Sequence, residues 1–136
     1  MSSFMYGRLR ILIVEDEGYT RRVIRGLLRQ SGVREIAEAE DGGKGFLELL
    51  QFRPHLVFCD IHMEPVDGLE FVRIVRAAES KVIAETRIIF LTADAQRDTV
   101  MSAKELNIDG YLVKPVSLNR LQAKLHETIL LNPELH

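Results

Sequence analysis

The sequence predicts an α/β protein built on a doubly wound sheet of five parallel strands with helices on both faces. Two observations carry this expectation. Short apolar runs recur at residues 9–14 (LRILIV), 34–39 (REIAEA), 55–59 (HLVFC), 87–91 (RIIFL) and 111–113 (YLV), and all but the second lack polar alternation. Strands that are apolar throughout suit a parallel sheet covered on both sides better than a sheet with one wet face. Between the runs lie segments with helical spacing, and strand alternating with helix calls for right-handed crossovers.

After the first strand, residues 17–31 read as a helix, with Val23, Ile24, Leu27 and Leu28 on one face. Arg21, Arg25 and Arg29 stand four apart on another face, and Gly32 supplies a left-handed stop. That stripe reads as a solvated face or as a docking surface. Residues 42–51 and 67–78 read as the next two helices, 97–106 as a fourth with Asn107 as its C-terminal cap. Ser117 caps the last helix, whose Leu118, Leu121, Leu125 and Ile129 form one stripe. Met63, Met101 and Phe71 read as core filling, and Cys59 as packing on the face opposite Asp60.

Length and composition bound the function. With 136 residues, 46% of them hydrophobic, the chain is the size of one ordinary domain. A net charge of −2 gives no general attraction to nucleic acid or anionic lipid, so charge must act locally. One cysteine cannot form an internal disulfide, and no run approaches the length of a membrane span. A soluble protein of a reducing cytoplasm is expected, without nucleic-acid or membrane partners.

The polar residues at the strand ends supply the chemistry. Glu15 and Asp16 follow the first strand, Asp60 the third, Thr92 the fourth and Lys114 the fifth. All belong to the carboxyl edge, where open α/β sheets build their sites. Carboxylates about 5 Å apart at an effective dielectric near 20 repel by roughly 3 kcal/mol per pair, so a cation is expected among them. Oxygen-only donors at an open, wet edge favour Mg²⁺ or Mn²⁺ over zinc.

The stretches ILIVEDE (11–17), DIHMEPVDG (60–68), LTA (91–93) and YLVKP (111–115), in this order and spacing, resemble the receiver domain of two-component response regulators. The resemblance covers residues 8–131, leaving 1–7 as an N-terminal arm and 132–136 as a C-terminal tail, with no output domain. It implies the flavodoxin-like strand order 2-1-3-4-5. It also implies that Asp60 is the phosphoacceptor, that Asp16 and Glu15 are the metal-binding pair, and that the His62 backbone carbonyl completes the metal shell. Thr92 matches the switch hydroxyl, Lys114 the phosphate-contacting ammonium and Tyr111 the mobile aromatic. A carboxylate can attack phosphorus to form an acyl phosphate when a metal and a cation offset the meeting of two anions.

Several positions depart from the family pattern. Glu15 stands where aspartate is more frequent, which implies metal contact through water. Pro65 lies one place later than usual, with Glu64 in its stead, and Val116 replaces an aromatic. His62 and Asp94 occupy positions that tune phosphate lifetime in the family, and the first helix with Arg21, Arg25 and Arg29 occupies the position of donor docking. The expected function is that of a stand-alone response regulator, not an enzyme acting on a separate substrate. The expected phosphodonor to Asp60 is a sensor histidine kinase or histidine phosphotransfer protein, with Mg²⁺ as cofactor, for which Mn²⁺ substitutes, and a separate effector reads the result. A phosphorelay shuttle or phosphate sink, a Mg²⁺-dependent hydrolase with an aspartyl nucleophile, and a phosphorylation-independent scaffold are the alternatives.

Overall fold

The computed structural model describes residues 6–93 and 105–135. Five strands, β1 (Arg10–Val14), β2 (Glu35–Ala39), β3 (Leu56–Asp60), β4 (Arg87–Thr92) and β5 (Gly110–Val113), form one parallel sheet in the order β2-β1-β3-β4-β5. Strands β1, β3 and β4 lie inside the sheet and are buried almost end to end, which is why their sequences run apolar without a break. Strand β2 is an edge, and its EIAEA sequence correspondingly leaves Glu35 exposed and Glu38 half-buried.

Helices α1 (Gly18–Gln30), α2 (Gly42–Phe52), α3 (Gly68–Arg76), the short α4 (Lys81–Ala84) and α5 (Leu118–Leu130) cover the sheet. One layer joins Ile24 and Leu28 of α1 to Leu121, Leu125 and Ile129 of α5, over Ile13, Phe58 and Leu91. The other joins Leu49, Phe71, Val72 and Val75 to Val14, Cys59 and Phe90. Phe58, Phe71 and Phe90 are fully buried, each worth about 2–3 kcal/mol of transfer free energy. Cys59 packs in the second layer, as its parity on the strand requires; burial pushes its thiol well above the ordinary range. Met63 and Phe71 are core residues as well.

The caps explain where the helices begin and end. Asp41, Asp67 and Ser117 each accept a hydrogen bond from the backbone N–H three residues on. Gly32 takes φ 100° beyond α1, as its stop signal predicts, and Asn107 takes φ 59° before β5. The structure departs from expectation in three places. Val23 is 41% exposed, so the buried stripe of α1 is narrower than its apolar residues implied. Helix α4 was not anticipated, being too short to show a period; Ser80 caps it by accepting from the Ile83 N–H. Tyr6 and Leu135, assigned to the arm and tail, are buried in the same apolar layer as Leu9 and Val33, so the folded body reaches into both segments. The helix expected over 97–106 lies outside the described residues except at its last two positions, as does Met101.

Candidate functional site

Register decides which side chains meet at the carboxyl edge. Val14 at the end of β1 pairs with Cys59 of β3, so the next residues, Glu15 and Asp60, come level. Asp60 pairs with Leu91 of β4, which sets Thr92 one step beyond. Thr92 pairs with Val113 of β5, and Lys114 follows, its N–H donating to the Thr92 carbonyl at 2.7 Å. Residues drawn from positions 15 to 114 thereby reach one edge.

The acids converge there. Carboxylate oxygens of Glu15, Asp16 and Asp60 lie within 4.8 Å of one another. Asp16 is exposed, whereas Glu15 is 1% and Asp60 6% exposed. The Lys114 ammonium bridges the buried pair, donating to Glu15 Oε1 at 2.6 Å and lying 3.3 Å from Asp60 Oδ1. Burial works against the Lys114 charge, but its bond to Glu15 and the charges of Asp60 and Glu15 outweigh this and raise its pKa. The Asp16 carboxyl is raised by partial desolvation, then by its hydrogen bond with Glu15 and the Glu15 charge, while Lys114 pulls the other way.

The sequence profile described as the response regulator receiver domain matches residues 11–126. This chain belongs to that family. The receiver is 33% identical over 119 residues to the chemotaxis protein CheY of Pseudomonas aeruginosa, covering 88% of this chain and 94% of the relative. It is 30% identical over 125 residues to chemotaxis protein CheY-3 of Vibrio cholerae, covering 92% and 95%. Its fold is similar to that of the receiver domain of sensor histidine kinase PA1611 of Pseudomonas aeruginosa, with a TM-score of 0.80 and 29% identity over 89% of this chain and 97% of that one. That structure has a magnesium ion coordinated in the active site cleft. A crystal structure of a protein from Chloroflexus aurantiacus, 22% identical and covering 90% and 98%, has the same fold with a TM-score of 0.81.

Receiver domains act in phosphorylation-dependent signalling as phosphoacceptors, and the family binds Mg²⁺ in its acidic site. In this receiver the donors fit such an ion. They are all hard oxygens, two of the three carboxylates share the single Lys114 ammonium, and Asp16 opens the cluster to water. Among the described residues no helix is long and apolar enough to cross a membrane.

The loop after Asp60 is fixed by close backbone contact. Gly68 at the start of α3 donates to the Ile61 carbonyl at 2.8 Å, and a Cβ there would stand 2.2 Å from the Asp60 carbonyl oxygen. Gly42 at the start of α2 donates to the Val66 carbonyl at 2.9 Å. Thus two helix N-termini hold the chain that follows the acceptor. Gly68 closes the DIHMEPVDG stretch, and nothing in that stretch shows how near it comes to Asp60.

The remaining candidates are spread around this centre. Thr92 is buried at the end of β4, and His62 is exposed in the β3–α3 loop. Tyr111 is 44% exposed on β5, paired with Phe90. Asp94 lies outside the described residues. The arginine stripe is not a uniform free surface: Arg21 and Arg25 both engage Glu38 of β2, at 3.3 and 2.5 Å, while Arg29 is exposed. Arg21 also donates to the Glu15 backbone carbonyl at 2.6 Å. Neither that bond nor the Lys114 bridge to Glu15 was visible in the sequence, because each partner is chosen by the fold.

Proposed function

We propose that this receiver is a phosphorylation switch in which Asp60 takes a phosphoryl group from a sensor histidine kinase or histidine phosphotransfer protein, in the cytoplasm, and a separate partner reads the result. The observation that carries the reading is the convergence of Glu15, Asp16 and Asp60 around the Lys114 ammonium at the carboxyl edge. An Asp60 oxygen attacks phosphorus, the phosphorus–nitrogen bond of the donor breaks, and the imidazole leaves. Asp16, Asp60 and the His62 backbone carbonyl would hold Mg²⁺, or Mn²⁺ in its place. Glu15 would contribute through water, since its oxygens already accept from Lys114 and from the Glu17 N–H. The ion, when bound, supplies charge neutralisation and in-line orientation of the phosphoryl oxygens.

Lys114 neutralises the acceptor before transfer and pairs with a phosphoryl oxygen afterwards; the Thr92 hydroxyl donates to another. Movement of Thr92 gives Tyr111 room to turn from its exposed position, altering the β4–β5 surface. His62 and Asp94, which match the family positions that tune phosphate lifetime, set how long the acyl phosphate persists.

Incubation with phosphoramidate and Mg²⁺ should add one base-labile phosphoryl group that Asp60→Asn cannot accept. Labelling that persists in Asp60→Asn would refute the assignment. Continuous release of phosphate from many equivalents of an ester would point to a hydrolase instead.

A further inference from the structure

We infer that Arg21 is a positioning residue for the acidic site: it fixes the backbone that carries Glu15 and Asp16, and Glu38 on the edge strand orients it to do so. The inference rests on the reading of the three acids as a metal site. It concerns a residue whose sequence position pointed instead to partner docking.

The segment from Glu15 to Glu17 is three consecutive acids, which repel one another and are joined to a helix whose N-cap, Glu17, makes no side-chain capping bond. Something must hold it. On one side the Glu15 N–H donates to the Ala39 carbonyl at 3.0 Å, extending the β1–β2 pairing by one residue. On the other side the Glu15 carbonyl accepts from Arg21 Nη1 at 2.6 Å. The peptide between Glu15 and Asp16 is therefore fixed by a guanidinium, and with it the direction in which Asp16 leaves the chain.

Arg21 is itself constrained. Its Nε lies 3.3 Å from Glu38 Oε1, and the other oxygen of Glu38 meets Arg25 Nη1 at 2.5 Å. A planar guanidinium can serve a carboxylate with one edge and a carbonyl with another, which the ammonium of lysine cannot do in the same fixed geometry. Glu38 also neutralises the cation. An unpaired positive charge beside a site for a divalent cation would oppose binding.

This gives the test a sign. As a bare charge, Arg21 would repel Mg²⁺, and its removal would tighten binding. As a positioning residue, its removal weakens binding, by about tenfold on the scale of outer-shell partners of metal ligands. Mg²⁺ would be titrated into the whole chain and followed by the backbone amide shifts of residues 15–17 and 60, and hydrogen exchange of the Glu17 amide would be measured without metal. Arg21→Gln should raise the Mg²⁺ dissociation constant about tenfold and speed Glu17 exchange. Arg21→Lys should move both in the same direction and serves if Arg21→Gln does not fold. Arg25→Gln, which breaks the other bond to Glu38, should leave the dissociation constant within about twofold. Unchanged or tighter Mg²⁺ binding in Arg21→Gln, an equal loss in Arg25→Gln, or unchanged Glu17 exchange in Arg21→Gln overturns the inference. Wild-type protein that takes up no Mg²⁺ would defeat the reading of the site, and Glu17 exchange would then decide the role of Arg21 by itself.

Discussion

Gly68→Ala adds one methyl group at the start of α3, where a Cβ would stand 2.2 Å from the Asp60 carbonyl oxygen, 2.9 Å from Ile61 Cα and 3.1 Å from the Asp60 carbonyl carbon. All three neighbours are backbone, so no side chain can swing aside, and the loop must move by about 1 Å to restore ordinary contact. Overpacking of this kind costs about 1–3 kcal/mol, and the bond from the Gly68 N–H to the Ile61 carbonyl, about 1 kcal/mol, is strained with it. The better helix propensity of alanine returns less than about 1 kcal/mol. A net loss of about 3 kcal/mol in a chain of 136 residues lowers Tm by about 10 °C, read by circular dichroism. Because the displaced atoms belong to Asp60, phosphorylation by acetyl phosphate should slow as well. Gly26→Ala is the control: nothing lies within 4 Å of its added Cβ, inside α1, so that variant should gain about 0.5–1 kcal/mol. A Gly68→Ala protein that melts within about 2 °C of wild type would refute the close approach, since even 1 kcal/mol should shift Tm by more.

Lys114→Ala leaves the buried Glu15 without its ammonium, and should cost about 2 kcal/mol without metal; Mg²⁺ should then stabilise the variant more than wild type, as thermal melts at millimolar Mg²⁺ would reveal. His55 Nδ1 accepts from the Arg10 N–H at 2.9 Å, and burial, then the Arg10 charge, hold the imidazole below its ordinary range against the pull of Glu134. With the folded pKa below the unfolded one, this contribution is complete above about pH 6.5 and is lost as pH falls through the folded value. Urea midpoints of wild type should therefore decline below that pH, and the decline should be smaller in His55→Gln. On α1, Arg29→Glu should slow transfer from a protein donor severalfold and leave acetyl phosphate labelling unchanged; an equal effect on both donors, or on neither, would mark Arg29 as ordinary surface.

The parts of this receiver that were legible in its sequence are those governed by local pattern. The unbroken apolar runs of β1, β3 and β4 are what a strand buried on both faces requires, and the alternating EIAEA marks an edge. Asp60, Glu15, Asp16, Thr92 and Lys114 could be placed because each ends or directly follows a strand, and parallel strands bring their ends to one edge. What was not legible depends on partners far along the chain. Lys114 reaches across 99 positions to Glu15, and Arg25 across 13 to Glu38. Lys114 was read as a contact for the phosphoryl group and Arg25 as part of a solvated face or a docking surface, because a sequence shows the charge and not the neighbour. Tyr6 and Leu135 look like ends of a chain, yet each caps an apolar layer that only the closed sheet creates. Helix α4, at four residues, is too short for a period of 3.6 to declare itself.

The most direct test of the account is to find which residue carries the phosphoryl group. Wild-type protein would be phosphorylated with and without Mg²⁺ and reduced with borohydride, which converts an aspartyl phosphate to homoserine, and its peptides then sequenced by mass spectrometry. Homoserine is expected at position 60 alone, formed only when Mg²⁺ is present and greatly diminished in Asp16→Ala. Modification at another residue, or equal modification of Asp60 without the metal, would contradict it.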